Sequence, residues 1–465
     1  MKLQAIALLA VLTACTEARM DQPHAARQHH KRQTTSPTNT AAVTGTPGPV
    51  ASGTVSGTPV ASATTTGPPP LATYTTIPPL ESITLGMPTR APPVFVAAHS
   101  PGASAPISGA PAIPTPLPLS SYPPQDKVPP TDSAQVKEWL KELDGFYIPD
   151  LKPTVDATCA GDPAAAAQAA QRGWWTCGGH TRATDIVACP NKLNWGLSFD
   201  DGPSPYTPIL LDYLKQHKIG ATFFVVGSRV VERPGMLVEE YMSGHEISVH
   251  TWSHHTLTSL TNEQIVAELG WTRKAIRDVL GVTPTTMRPP QGDIDDRVRA
   301  ISLAMGLTPI MWTSTPDGGK FDSNDWRVAG GILTGTQAFG IFQTLLSNAS
   351  TFPTGFVTLQ HDLFEITVDI AVGYTLDTAV KHTPKFNITP IGECLGYPDG
   401  NLYRETSNNK TFPYTNLTRG GVDINGDGKL DIKFGKNAGH SLSAPVWGSL
   451  GAVLLSIAAL AHIAV

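Results

Sequence analysis

The sequence predicts a single α/β domain built on a parallel sheet, either open or closed into a barrel. Segments with strand character alternate with segments of helical periodicity between about residues 190 and 390, which is the pattern of parallel sheets. Composition sets the size of this domain. Of the 42 prolines in 465 residues, 22 lie in residues 31–130, and only two residues between Gln33 and Gln125 are charged. Such a segment is not expected to bury a core, so about 270 residues remain for one large domain.

The predicted elements follow one another in a regular order. A first amphipathic helix is predicted at residues 136–143, where Val136, Trp139, Leu140 and Leu143 recur at three- and four-residue intervals. Strands are predicted at 195–199, 221–226, 246–250, 286–288, 308–313 and 355–360, and helices at 209–217 and 262–280. The second of these helices begins at a capping box of Thr261 and Gln264 and ends at Gly281. In such folds functional residues collect at the carboxyl ends of strands.

Both ends of the chain have the features of targeting signals. Residues 1–18 have the layout of a secretory signal peptide, although residues 12–15 also resemble a bacterial lipoprotein cleavage box. The apolar tail at 446–465 follows small residues and a polar spacer, which predicts a GPI signal with attachment at Asn437 and removal of residues 438–465. An ordinary C-terminal membrane helix is the alternative. GPI attachment implies a eukaryotic, secreted protein held at the cell membrane by its lipid and located in the cell wall.

The segments between these signals complete the domain layout. Residues 19–131 are predicted to form a disordered, mucin-like arm, residues 132–400 the folded domain and residues 401–437 a linker. Lys31-Arg32 is either a processing site or a solvated basic pair. Sequons for N-glycosylation at Asn348, Asn387, Asn409 and Asn416 agree with secretion. A polar segment from Asp423 to Asp431 resembles part of a calcium loop, but Phe434 stands at its twelfth position, so a polar turn is the preferred interpretation.

Charge and cysteine content limit the possible partners and suggest disulfide bonds. Lys and Arg number 33 against 38 Asp and Glu, a net charge of −5 with no long basic block, so no nucleic-acid partner is expected. Loss of Cys15 with the signal peptide leaves four cysteines, which suggests two disulfides and three connectivities. We favour Cys159–Cys177 and Cys189–Cys394, because the second pair would tie the start of the domain to its end.

Two short motifs suggest a metal site. Asp200 and Asp201 are adjacent carboxylates, one suited to bind a metal and the other to accept a proton, although a solvated turn is the commoner explanation of such a pair. His250 and His254 would face the same side of a helical turn and could converge on one cation. One aspartate with two histidines leaves coordination positions for water and substrate, as in hydrolytic zinc sites.

Three further motifs lie downstream, each with an ordinary structural explanation when taken alone. In residues 288–292 prolines and a glycine fix the backbone, so that Arg288 and a backbone N–H can be aimed. Asp325 and Trp326 place an acid beside an aromatic ring, and a helix N-terminus would equally explain the acid. Leu359 and His361 end an apolar strand with a titratable imidazole. Taken alone, such a histidine is usually structural.

All five motifs occur in one order, and in this the chain resembles the polysaccharide deacetylases of carbohydrate esterase family 4, the NodB homology domain, over residues of about 190 to 390. Residues 133–190 and the C-terminal signal resemble fungal GPI-anchored chitin deacetylases in particular. The resemblance implies a distorted (β/α) barrel and a divalent cation, zinc or cobalt. It also implies removal of N-acetyl groups from GlcNAc residues of chitin to give chitosan and acetate, with cell-wall glucan as a further candidate partner.

The resemblance also assigns roles to residues. It implies a cation held by Asp201, His250 and His254, with Asp200 as general base, His361 as general acid, Arg288 beside Asp200, Asp325 beside His361, and Gln291, Trp326 and Leu359 at the substrate. One departure is Gln291, because the family usually has an aromatic residue there; the expected contact is a backbone N–H, which survives the change. Two alternatives remain: a weakly active chitin-binding wall glycoprotein, and a deacetylase of another acetylated polysaccharide.

Overall fold

Eight short parallel strands frame the part of the chain that the computed structural model describes, residues 76–87, 89–315 and 318–408. The strands are β1 (Asn194–Gly196), β2 (Ser198–Asp200), β3 (Thr222–Val225), β4 (Glu246–Val249), β5 (Thr286–Met287), β6 (Thr308–Pro309), β7 (Phe356–Val357) and β8 (Asn387–Thr389). One sheet has the order β2-β3-β4-β5-β6, and the other has the order β7-β1-β8. All of the strand pairs are parallel.

Backbone hydrogen bonds join the two sheets into a ring. Beyond β6, the N–H of Thr313 donates to the carbonyl of Val357 at 3.0 Å. Beyond β7, the carbonyl of Gln360 accepts from the N–H of Asp200 at 2.9 Å, which brings this segment beside β2. The predicted α/β class and the distorted barrel implied by the resemblance are therefore confirmed.

Helices surround the barrel, as expected from right-handed crossovers between parallel strands. They are α1 (Ala134–Leu140), α2 (Pro163–Ala166), α3 (Ala169–Arg172), α4 (Thr207–His217), α5 (Gly227–Glu232), α6 (Pro234–Met242), α7 (Asn262–Leu280), α8 (Asp296–Ala304), α9 (Asp325–Ala329), α10 (Gly335–Ala349), α11 (Glu365–Ile370), α12 (Leu376–Lys381) and α13 (Ile391–Cys394). A π-helix, Ala371–Thr375, joins α11 to α12. The predicted capping box starts α7, and Gly281, at φ 79°, ends it in the left-handed conformation that glycine adopts without cost.

One predicted strand is two strands in the structure. The run at 195–199 divides into β1 and β2, which belong to different sheets. The change of partner falls at Leu197, whose N–H donates to Thr389 at 3.0 Å while its carbonyl accepts from Thr222 at 2.9 Å. The sequence does not reveal this change of partner, because the residues just before and just after Leu197 are equally buried and read as one continuous run.

Both disulfides have the pairing that the sequence favoured. Cys189–Cys394 spans 205 residues and Cys159–Cys177 spans 18. Cys189 lies just before β1 and Cys394 ends α13, so the longer bridge joins the two ends of the barrel. The shorter bridge closes a loop within the segment that precedes the barrel.

The predicted boundary between the low-complexity segment and the domain is wrong. Residues 76–87 and 89–131, which we name the strap, pack onto the barrel instead of forming part of a free arm. Ile83 and Ile113 are buried, and Arg90 forms ion pairs with Glu365 and Asp369. A proline-rich segment cannot form a core of its own. In an extended conformation, however, it can bury single side chains against a domain that is already folded.

The predicted end of the domain is also too early. Residues 401–408 pack on the barrel, where Tyr403 is buried and forms a β-bridge with Pro284. The described residues do not include the predicted signal peptide, residues 19–75, Asn409, Asn416, the predicted polar turn at 423–431, Asn437 or the apolar tail. Within the residues that are described, none of the helices is long and apolar enough to cross a membrane.

Candidate active site

The residues of the five motifs meet at the carboxyl ends of the barrel strands. Asp200 ends β2, His250 follows β4 and Arg288 follows β5. The segment beyond β7 carries His361, which forms a β-bridge with Asp200. Parallel strands place their carboxyl ends at one edge of the sheet, so residues distant in sequence become neighbours.

Backbone conformation is unusual in these same loops. Five of their non-glycine residues have left-handed φ angles: Asp201 (79°), Thr251 (64°), His254 (57°), Gln291 (57°) and Asn324 (56°). A side chain in this region costs energy that the surrounding contacts must supply, and such residues concentrate at functional sites.

Three side chains form a group suited to a cation. Ligand atoms of Asp201, His250 and His254 all lie within 4.8 Å of one another. Asp201 Oδ1 is 3.3 Å from His250 Nε2 and 3.0 Å from His254 Nε2. The contact of His250 Nδ1 with the Arg288 carbonyl, at 2.8 Å, requires the ring proton on Nδ1 and leaves a lone pair on Nε2. A buried carboxylate oxygen facing such a lone pair fits a divalent cation.

The two histidines are not on a helix, contrary to the sequence prediction. They lie in the loop between β4 and α7, where Thr251 and His254 turn the chain through left-handed conformations. The buried carboxylate of Glu268 holds this loop by accepting from the N–H of Trp252 at 2.7 Å and from the N–H and hydroxyl of Ser253 at 2.9 and 2.5 Å. The imidazoles therefore converge through a loop pinned by an acid on α7.

Asp200 and Arg288 form a buried ion pair beside this group. Arg288 Nη1 lies 2.7 Å from Asp200 Oδ1 and 2.9 Å from the hydroxyl of Ser198, and its side chain is fully buried. The other carboxylate oxygen, Oδ2, is 3.8 Å from His250 Nε2. One oxygen of Asp200 is thus committed to the guanidinium, while the second faces the histidines.

His361 and Asp325 form a second acid–base pair. Asp325 accepts from the backbone N–H of His361 at 2.8 Å and contacts its Nδ1 at 2.7 Å. Burial lowers the pKa of His361, but the Asp325 carboxylate outweighs this effect and, with smaller contributions from Asp201 and Asp200, raises the pKa to about 10. Burial also lowers the pKa of His254, although Asp201 opposes this effect. The lower pKa favours the neutral imidazole, which is the form that binds metals.

The remaining candidates occupy the surroundings of these groups. Trp326 is half-buried and donates its Nε1–H to Asp322 at 3.1 Å, Leu359 is buried, and the side chain of Gln291 is exposed. Their contact with substrate stays a prediction. The two described sequons, at Asn348 on α10 and Asn387 on β8, are exposed, as glycosylation requires.

A (β/α) barrel that gathers an Asp-His-His group and two acid–base pairs at the carboxyl ends of its strands has the architecture of a metal-assisted hydrolase. Residues 188–310 match the polysaccharide deacetylase family model. Chitin deacetylase 1 of Cryptococcus neoformans var. grubii is 51% identical over 337 residues, which cover 71% of each chain. This chain belongs to the polysaccharide deacetylase family, whose members use a divalent metal.

Other relatives match over shorter regions. Chitin deacetylase of Amylomyces rouxii is 35% identical over 222 residues, which cover 46% of this chain and 48% of that one. The solved structure of the chitin deacetylase from Colletotrichum lindemuthianum is 26% identical, with a TM-score of 0.43, and covers 49% of this chain and 97% of that chain.

Proposed function

We propose that this protein removes N-acetyl groups from GlcNAc residues of chitin, giving chitosan and acetate. The observation that carries the proposal is the convergence of Asp201, His250 and His254 beside the Asp200–Arg288 and His361–Asp325 pairs. The substrate is inferred from Chitin deacetylase 1, which is 51% identical.

Asp201, His250 and His254 would hold a divalent cation, for which we propose zinc or cobalt. When bound, the cation supplies Lewis acidity, which makes water a stronger nucleophile and polarises a carbonyl group. The fixed tautomer of His250 and the neutral state favoured for His254 prepare these residues for that role.

The chain's own residues move the protons. Asp200 acts as general base: Arg288 binds one of its oxygens and leaves the other directed toward the histidines, where it takes a proton from the attacking water. The water oxygen bonds to the amide carbon, and the tetrahedral oxyanion accepts a hydrogen bond from the backbone N–H of Gln291. The C–N bond then breaks as His361 protonates the departing amine, which leaves acetate.

The remaining proposals concern the substrate groove and the location of the enzyme. We assign Trp326 and Leu359 to the acetyl pocket, because each is next to or near a member of the His361–Asp325 pair in the chain. We further propose secretion, a GPI anchor at Asn437 and a place in the cell wall, where the polymer and glucan both lie.

Acetate release from defined chitin oligomers tests the activity. We expect release by the metal-loaded protein, its loss with a chelator, its recovery with zinc or cobalt, and a fall of at least about a hundredfold in Asp200→Asn. Asp377→Asn, which changes a surface acid on α12, serves as the matched control and should retain full activity. Absence of release from a folded, fully metal-loaded protein would overturn the proposal for chitin.

A further inference from the structure

We propose that Asp293 is a positioning residue of this active site. It links two loops to the segment closed by the Cys159–Cys177 disulfide. One is the Gln291 loop, residues 288–292, and the other is the metal-binding loop, residues 250–261, which carries His250 and His254. The inference rests on the proposed deacetylase function, because its consequence is a change in that reaction. The hydrogen bonds of the Asp293 carboxylate reach none of the motif side chains described above.

The Asp293 carboxylate accepts four hydrogen bonds. Its Oδ1 accepts from Trp174 Nε1–H at 2.8 Å and from the Thr176 hydroxyl at 2.9 Å. Its Oδ2 accepts from the N–H and the hydroxyl of Thr258, both at 2.8 Å. The side chain is almost fully buried, at 1% exposure. Donors surround both oxygens, so an ionised carboxylate fits here, whereas an amide would turn its NH2 group toward one set of donors.

These four bonds join three segments of the chain. Trp174 and Thr176 lie three and one positions before Cys177, in the segment closed by the Cys159–Cys177 disulfide. Thr258 lies in the loop that carries His250 and His254. Asp293 itself follows the Gln291 loop. One carboxylate therefore fixes the relative position of both halves of the proposed catalytic apparatus and ties them to a segment outside the barrel.

The Gln291 loop needs such support because its backbone is strained. Gln291 and Gly292 are consecutive left-handed residues, at φ 57° and 69°. On one side the ring of Trp175 leaves room only for glycine, since a Cβ on Gly292 would lie 2.5 Å from Trp175 Cζ3. Trp175 also donates its backbone N–H to the carbonyl of Ile294 at 3.0 Å. On the other side Asp293 holds the chain, and together these contacts aim the Gln291 N–H.

Loss of this support should affect the chemical step more than substrate binding. An oxyanion donor acts only when the tetrahedral intermediate forms, so misdirecting it lowers kcat with little change in KM. Because Thr258 is in the metal-binding loop, the affinity for zinc should also fall. The expected loss is smaller than the loss of about 10–100-fold caused by removing a group bonded directly to a metal ligand, because Asp293 acts through Thr258.

The test uses the full-length, zinc-loaded protein with three variants and a matched control. Asp293→Asn removes the carboxylate, Trp174→Phe removes one donor but keeps most of the ring volume, and Thr258→Val removes one hydroxyl. Thr285→Val is the control, because Thr285 is equally buried and loses a single bond, to the Leu402 carbonyl at 2.9 Å, at the amino end of β5. Acetate release gives kcat and KM, and competition with a chromophoric chelator gives the Kd for zinc.

We expect kcat to fall about 10–100-fold in Asp293→Asn and less in the other two, with KM within about threefold of the wild type. Trp174→Phe should add little once Asp293→Ala is present, because Ala removes the oxygen that accepts the Trp174 bond. Should Asp293→Asn fail to fold, Trp174→Phe and Thr258→Val carry the test.

The proposal is overturned if the folded variants lower kcat and zinc affinity no more than Thr285→Val does, or if the Trp174 and Asp293 effects simply add. Failure of the proposed function gives a different result. In that case the wild type itself releases no acetate, whereas the Kd for zinc still reports whether Asp293 positions the metal-binding loop.

Discussion

At the scale of single residues, the protonation of His361 depends on its contact with Asp325. In the proposed reaction the general acid must carry a proton when the amine leaves, and a pKa of about 10 keeps His361 protonated through neutral and mildly alkaline pH. The carboxylate that raises this pKa also orients the ring through Nδ1. Orientation and protonation are therefore supplied by the same side chain.

Asp325→Asn should move the basic limb of the pH profile to lower pH. The amide keeps the shape and an acceptor oxygen but loses the negative charge, so the effect of burial prevails and lowers the pKa of His361. Measurement of kcat/KM between pH 6 and pH 10 checks this, with Asp377→Asn as a surface control. A uniform loss at every pH, with the limb unmoved, would contradict the expected electrostatic role.

The residues to which we assign the chemistry could be picked out from the sequence, whereas the residues that support them could not. Asp200, His250 and His361 belong to motifs with fixed spacing, and the structure brings them together. Glu268 and Asp293 are single acids without a spacing pattern, and their importance follows only from the donors that the fold places around them. The prediction of a helix for the two histidines failed because a four-residue spacing also fits a loop with left-handed residues.

At the scale of elements, the strap stabilises the barrel through a charge cluster. Arg90 pairs with Glu365 and Asp369 on α11, both almost fully buried. Burial raises the pKa of Asp369 to about 6 in spite of Arg90, which shows how poorly this carboxylate is solvated. Without the guanidinium, two acids would remain buried side by side.

Arg90→Ala should therefore lower the free energy of unfolding by about 1–3 kcal/mol, less than a fully buried pair would lose because Arg90 is one-third exposed. Lys141→Ala is the matched control: both members of its pair with Glu138 are exposed to solvent, so its loss should be clearly smaller than that of Arg90→Ala. Denaturant titration at neutral pH measures both. Equal losses in the two variants would show that the strap's ion pairs do not stabilise the barrel.

Element prediction succeeded where periodicity is strong. The helix α7 has a capping box, an apolar face and a terminal glycine, and its predicted bounds agree with the structure. The strap was missed because its extended, proline-rich chain has no periodicity, and only the barrel surface shows that Ile83 and Ile113 have somewhere to be buried. Composition shows that the strap cannot form a core by itself, but it does not show that the strap can pack against a barrel that is already folded.

At the scale of the whole molecule, the two disulfides should differ in their effects. In the chain-entropy model a loop of 205 residues corresponds to about 5 kcal/mol of stabilisation and one of 18 residues to about 3 kcal/mol. We expect Cys189→Ser with Cys394→Ser to lower Tm more than Cys159→Ser with Cys177→Ser. Thermal unfolding of the two double variants checks the order, and an equal or reversed loss would contradict it.

The longer bridge has a further consequence, which concerns mechanical force. Tension applied between a residue before Cys189 and one after Cys394 passes through the sulfur–sulfur bond, so the barrel strands between them carry none of it. About 700 Å of extended chain stays hidden from such a pull until the bond is reduced. In the location that we propose, a cell wall that swells and stretches, the bridge would preserve the barrel and the geometry of its site under tension.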